Sequence, residues 1–206
     1  GIPKTMDNDI SVTDHAPGFA SAARYIAETT AEISQDVRSL PIHVCIIEAM
    51  GRNAGWTTAA SALARSGDGA GPDLIYLPEL PFDEEQFLRD VKRLHEEKGG
   101  VVVVASEGLK NADGKPIVDP IFQVGRAVYY GDVGSEKPGL AGRASVAYQS
   151  SVDREEAILV GATAVKAALA GENGVMVGLK RVEGKEYKVE TMLIPIEQVM
   201  LEERTM

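Results

Sequence analysis

The chain has 206 residues, 44% of them hydrophobic and 25% charged, which is enough length for one large or two small domains with a real core and an ordinary composition for a soluble globular protein. Its net charge of −10 repels nucleic acid and anionic membranes and so argues against both as partners. A phosphorylated ligand would need a local cationic exception, for which 21 Lys and Arg residues are available.

Residues 1–17 read as loop, with Pro3, several Asp and then Pro17-Gly18. From Gly18 to about Leu40 the period becomes helical, with Phe19, Ala22, Ala23, Ile26, Ala31, Ile33 and Val37 forming one apolar stripe that Pro41 ends. HVCIIEAM (43–50) is a continuous apolar run, as in a strand covered on both faces. Its Cys45 is the only cysteine, which excludes an internal disulfide, fits a reducing cytoplasm, and reads as a buried small hydrophobe. MGRNAG (50–55) is a tight turn, 57–67 a short Ala-rich helix, and 73–79 the next strand. Residues 83–99 form an amphipathic helix with acids in its first turn and a closing Gly, and 101–108 another buried strand. Then come a polar loop (109–117), a helix over 119–130 and an irregular Gly-rich stretch over 131–152. A long helix covers 153–171, strands cover 175–181 and 187–192, and IEQVMLE makes a final short helix. No apolar run approaches the roughly 20 residues that span a bilayer.

The β–α–β–α–β order from 43 to 106 calls for an α/β fold, a parallel sheet flanked by helices, with ligands bound beyond the carboxyl ends of its strands. Three such ends are polar or Gly-rich: Glu48 to Arg52, Pro78-Glu79, and Ser106-Glu107-Gly108. The opening PKTMDND loop adds a cation, a hydroxyl and two alternate carboxylates within six positions: Lys4, Thr5, Asp7 and Asp9. These are the parts that phosphoryl transfer uses: a carboxylate to accept a hydroxyl proton, a second acid to help hold Mg2+, and a cation beside the transferred group. On composition alone the same residues also suit a plain turn whose side chains bond their own backbone.

GIPKTMDNDI, TDHAPGF, EAMGRNAGW, LPELPF and SEG, in that order and at compatible spacing, resemble the phosphofructokinase family, and more narrowly its pyrophosphate-using branch. The resemblance runs over nearly the whole chain. It implies that Asp7 is the base, that Asp9 lies beside Mg2+, and that Thr5 contacts the transferring group. It makes Lys4 a marker for pyrophosphate, since ATP-using relatives usually carry Gly there. It assigns Met50, Gly51, Arg52 and Glu107 to fructose 6-phosphate. Arg143 matches the 6-phosphate Arg of a P-G-x-x-Q-R segment, in which this chain has Gly142 for Gln and Leu140 for a polar residue; Tyr148 or Lys137 are candidates to compensate. His43 falls where relatives place an Arg that reaches a neighbouring subunit's sugar phosphate. Donor-cradling Gly-rich loops do not occur here, and the chain opens on a finished motif, which predicts a fragment of a longer polypeptide with one domain incomplete.

The implied organisation is a catalytic loop and helix start (1–19), a fructose-6-phosphate domain (20–145) and a return to the donor domain (146–206). The implied enzyme is a cytoplasmic homo-oligomer that uses pyrophosphate sooner than ATP. An ATP-dependent enzyme and a non-catalytic regulatory subunit are the alternatives. Outside these motifs Trp56 reads as a packing anchor, His95 as an exposed helix residue, and His15 as a loop residue, its approach to the site being the lesser alternative. The apolar helix AILVGATAVKAALAG is expected to need a covering partner.

Overall fold

In a computed structural model, residues 1–40, 42–67, 69–117, 132–200 and 202–206 are described. The helix expected over 119–130 lies outside them. Strands β1 (Ile42–Ala49), β2 (Leu74–Tyr76), β3 (Val101–Ser106) and β4 (Asp132–Glu136) form one sheet in the order β2-β3-β1-β4. All three pairings are parallel, with Val44 opposite Val101 and Ala49 opposite Ser106.

Alternation along the strands divides the core between two faces. Val44, Ile46, Val101 and Val103 turn to helix α3 (Glu84–Lys98) and its Phe87, Val91 and Leu94. Cys45, Ile47, Val102 and Val104 turn to helix α1 (Phe19–Ser39) through Ile26 and Val37. Burial pushes the Cys45 thiol up to about 12, so it is an inert packing group. Helix α3 has a local start and stop: Asp83 accepts the Gln86 N–H, and Gly99 ends it at φ 80°.

Two departures from the periodicity have simple causes. The Ala-rich helix is only α2 (Trp56–Ala60) followed by a 3-10 turn (Ser61–Ala64), where the Ser61 hydroxyl donates back to Thr58 O at 2.6 Å. Within the stretch read as irregular lie β4 and the short helix α4 (Leu140–Ala144). The sequence DVGSE of β4 has one apolar residue, and its place is set by backbone pairing to β1. His95 is half-buried, which corrects the expectation of exposure.

Helix α5 (Ser151–Leu169) packs Val160 on Val177 and Leu179 of an antiparallel hairpin, β5 (Val175–Arg181) and β6 (Val189–Pro195), before a short helix α6 (Ile196–Val199). Apolar side chains surround α5, so packing one face leaves others in solvent: Ile158 is 65% exposed and Leu169 85%. No helix among the described residues is long and apolar enough to cross a membrane.

Candidate active site

The register of β1 against β3 brings two strand ends together. The Glu107 N–H donates to Ala49 O at 2.9 Å. The Glu107 carboxylate returns the contact, as its Oε1 accepts the N–H groups of Gly51 and Arg52, each at 3.0 Å. Two glycines make the approach possible. A Cβ on Gly51 would meet Ala54 O at 2.5 Å, and one on Gly108 would meet Arg52 O at 1.6 Å. Arg52 itself takes the left-handed conformation at φ 51°, which turns its side chain out from the turn.

That side chain meets the opening loop. Arg52 Nε donates to Asp7 Oδ2 at 3.1 Å and Nη2 to Asp9 Oδ2 at 2.5 Å, so one guanidinium spans both carboxylates. Asp7 is buried, and burial raises its pKa above the ordinary aspartate value. The Arg52 hydrogen bond opposes that rise, while the Asp9 and Glu107 charges add to it. The pKa of Arg52 is raised in turn, first by its hydrogen bond to Asp7 and then by the Asp9 charge. The Thr5 hydroxyl accepts the Asp7 N–H at 3.0 Å, so this loop is a turn whose side chains bond their own backbone.

A cleft of about 1040 Å³ opens over this pair. Lys4, Thr5, Asp7, Met50, Arg52, Glu107 and Arg143 all line it. Asp9 reaches it through Arg52. Lys4 and Arg143 are both exposed, the first on the opening loop and the second carried by α4. Four expected positions fall elsewhere. His43 lies in β1, with its side chain outside the described residues. Lys137 pairs with Glu48 at 2.9 Å and the Tyr148 hydroxyl donates to Glu32 at 3.4 Å, and neither is among the residues that line the cleft. Glu79 accepts the Gly55 N–H at 2.7 Å, away from the cleft. Among the described residues, no group of three or more His, Cys, Asp or Glu stands ready for a metal. Asp7 and Asp9 do supply the hard oxygens that magnesium takes, one or two carboxylates at a time, beside phosphate oxygens.

The loop is held by groups that no local motif signals. Asn8, between the two acids, is buried at φ 56° and its Oδ1 accepts the Ala16 N–H at 3.0 Å. The Thr13 hydroxyl bonds His15 O and the backbone of Leu179, 166 residues away. Asp153 on α5 accepts the Ser21 N–H at 2.6 Å and the Ala20 N–H at 3.3 Å, capping α1, whose own cap position is Gly18. His15 does not reach the cleft. Its Nδ1 bonds buried Glu156 on α5, whose other oxygen accepts the Tyr187 hydroxyl at 2.6 Å. Removing Glu156 would strand the buried His15, whereas Tyr187, 47% exposed, would lose a partner that water can replace. Glu156→Ala is expected to cost about 3 kcal/mol of stability, and Glu156→Gln much less, in urea unfolding. A loss below about 1 kcal/mol for the alanine variant would count against this cluster as a fastening.

The C-terminal end contributes too. Arg204 N donates to Asp9 O at 2.7 Å, and its Nη1 to Thr13 O at 3.0 Å and Asp14 O at 2.6 Å. Its guanidinium lies 4.6 Å from the Trp56 ring centroid, and Trp56 Nε1–H donates to Arg204 O at 3.3 Å. Trp56 is therefore the anchor expected of it, and what it anchors is this arginine.

Residues 1–168 match the family model described as phosphofructokinase. A sulfofructose kinase of Alkalicoccus urumqiensis is 38% identical over 97% of this chain and 56% of its own length. A pyrophosphate–fructose 6-phosphate 1-phosphotransferase of Xanthomonas campestris pv. campestris is 37% identical over 100% of this chain and 54% of its own. The crystal structure of a pyrophosphate-dependent phosphofructokinase from Nitrosospira multiformis superposes with a TM-score of 0.89 at 35% identity, over 100% of this chain and 54% of that one. The chain spans about half the length of the relatives it matches. It belongs to the phosphofructokinase family.

Proposed function

We propose that this phosphofructokinase-family chain carries the acceptor site and the base of an enzyme that phosphorylates fructose 6-phosphate from pyrophosphate. The observation behind the reading is the single cleft shared by Lys4, Asp7, Arg52, Glu107 and Arg143, in a chain similar over its full length to a pyrophosphate-named relative. Asp7 accepts the proton of the 1-hydroxyl as that oxygen bonds the transferred phosphorus, and the bond to the departing phosphate breaks. Lys4 neutralises charge on pyrophosphate, and Thr5 faces the group in transfer. Met50, Gly51, Arg52 and Glu107 seat the sugar, and Arg143 takes its 6-phosphate. Asp9, with Asp7 next to it, would hold Mg2+ together with phosphate oxygens; the ion supplies charge neutralisation on the phosphoryl groups.

The organisation that goes with this reading is a catalytic loop (1–19), a sugar-phosphate domain (20–145) and a segment (146–206) that returns to the donor domain. We assign it to a cytoplasmic homo-oligomer, with His43 toward a neighbouring subunit and the exposed apolar residues of α5 covered in the assembly.

A second reading concerns only the acceptor. The sulfofructose kinase relative and Gly142, which stands where the family segment has Gln, both favour an anion pocket suited to a sulfonate, which carries less charge than a phosphate ester. One set of assays separates the readings. The complete polypeptide is tested on fructose 6-phosphate and on sulfofructose, with pyrophosphate and with ATP, and then as Lys4→Gly. Fructose 6-phosphate with pyrophosphate is expected to be the preferred pair, and Lys4→Gly to lose about 10²-fold with that donor. Preference for sulfofructose would move the acceptor assignment and leave the donor intact. Preference for ATP in the unsubstituted enzyme would overturn the role of Lys4, and no turnover with any pair would favour a regulatory subunit.

A further inference from the structure

We propose that Arg204 is a positioning residue for the Asp7–Asn8–Asp9 turn, clamping it against Trp56 and the glycine-rich turn that carries Arg52; its catalytic consequence rests on the functional reading above. Arg204 touches neither cleft nor carboxylate. Its backbone N–H holds the carbonyl of Asp9, and its guanidinium gathers the carbonyls of Thr13 and Asp14 from the end of the same loop. The guanidinium also lies over the ring of Trp56, the first residue of α2. Its neighbour repeats the tie: Glu203 makes an isolated β-bridge with Ile10 on the loop side and accepts Asn53 Nδ2–H at 3.1 Å on the turn side. Met206 N–H donates to Glu79 Oε1, the oxygen that also holds Gly55 N–H.

The two halves of the candidate site thus come from segments about 45 residues apart, and besides the Arg52 ion pairs the 203–206 strap is a direct tie between them. A planar fork over an indole with two carbonyls on one nitrogen is a geometry that Lys does not reproduce. Position matters here because a displacement near 1 Å between a base and its partners can cost about 10²-fold in rate.

The test uses the complete polypeptide as Arg204→Lys and Arg204→Ala. Both are expected to lower kcat by about 10- to 100-fold while the KM for fructose 6-phosphate stays within about twofold, since the acceptor pocket is untouched. Guanidinium ion added to Arg204→Ala should restore part of kcat and should do nothing for Asp7→Asn. Amide hydrogen exchange over residues 7–16 should quicken in Arg204→Ala, with or without substrate. Unchanged kcat with a lowered Tm would make Arg204 merely structural and overturn the proposal, as would unchanged exchange over 7–16. If the unsubstituted enzyme transfers no phosphoryl group, the functional reading fails, and the exchange measurement still decides whether Arg204 sets this loop.

Discussion

Asp7→Asn should lower kcat for phosphoryl transfer by about 10²- to 10⁴-fold, the range expected when a positioned general base is lost. The variant keeps size and hydrogen-bonding reach, so the cleft keeps its shape and the KM for the sugar should hardly move. Burial already raises the pKa of Asp7, and its preference for the protonated form stabilises the fold at acid pH. That contribution is lost as pH rises through the folded-state value, so the neutral asparagine should leave stability at pH 7 unchanged or slightly improved. Loss of rate without loss of stability separates a base from a structural acid. The same charges make a pH prediction. Turnover needs Asp7 ionised, so the acid limb of the rate profile should lie above the ordinary aspartate pKa. Arg52 lowers that pKa through its hydrogen bond. Arg52→Met should therefore shift the limb to higher pH, whatever else it does to sugar binding. A limb that moves to lower pH, or an Asp7→Asn variant with near-normal kcat, would remove Asp7 from the role of base.

Gly108→Ala should be the most damaging single methyl group in the cleft. Its Cβ would lie 1.6 Å from the Arg52 carbonyl oxygen and 2.5 Å from its carbon, both backbone atoms that no rotamer change can move aside. The turn that presents Arg52 must shift, and with it the cation that spans Asp7 and Asp9. We expect a stability loss of about 1–3 kcal/mol from overpacking and a fall in kcat/KM of about 10²-fold, read by urea unfolding and steady-state assay. Gly161→Ala is the control. It lies within α5 with nothing within 4 Å of the added Cβ, and the substitution should stabilise slightly. If both variants behave alike, the close approach of the two strand ends is not what the sequence needs glycine for.

What the sequence made legible was whatever repeats with a short period. Buried strands β1 and β3 are unbroken apolar runs, and α3 carries its own acidic first turn, Asp83 cap and closing Gly99. The opening acids are legible because Asp7 and Asp9 are two residues apart, and the Arg52 turn because glycine brackets it. Where the periodicity misleads, a distant partner decides. The apolar stripe of α1 holds at Ala22, Ala23, Ile26 and Val37, with Ile33 packed at the edge of the core, but Thr30 and Ser34 are buried with them although nothing in their hydropathy marks them. Strand β4 exists by backbone pairing to β1 and has almost no hydrophobic signature. The cap of α1 comes from Asp153, and the clamp on the acidic loop from Arg204; each looks like an ordinary surface charge until the fold delivers it. The cleft wall carrying Arg143 was legible only through resemblance, since LAGRA has nothing in its own pattern to suggest an anion site.

The fastening of residues 13–16 also sets an order of events. Thr13 and Asp14 bond Leu179, Asp14 accepts the Arg181 N–H, and His15 bonds Glu156, and each of these four ties closes a loop of well over a hundred residues. Loop-closure entropy makes such contacts late ones, formed after the nearer pairings of β1, β2 and β3. On a ribosome the acidic turn emerges before the hairpin and α5 and must wait for them before it can harden. The Arg52 pairing with Asp7 and Asp9 is consequently brought into register near the end of folding, and a chain stalled before the β5–β6 hairpin would carry the sheet and the Arg52 turn with the acidic loop still unset.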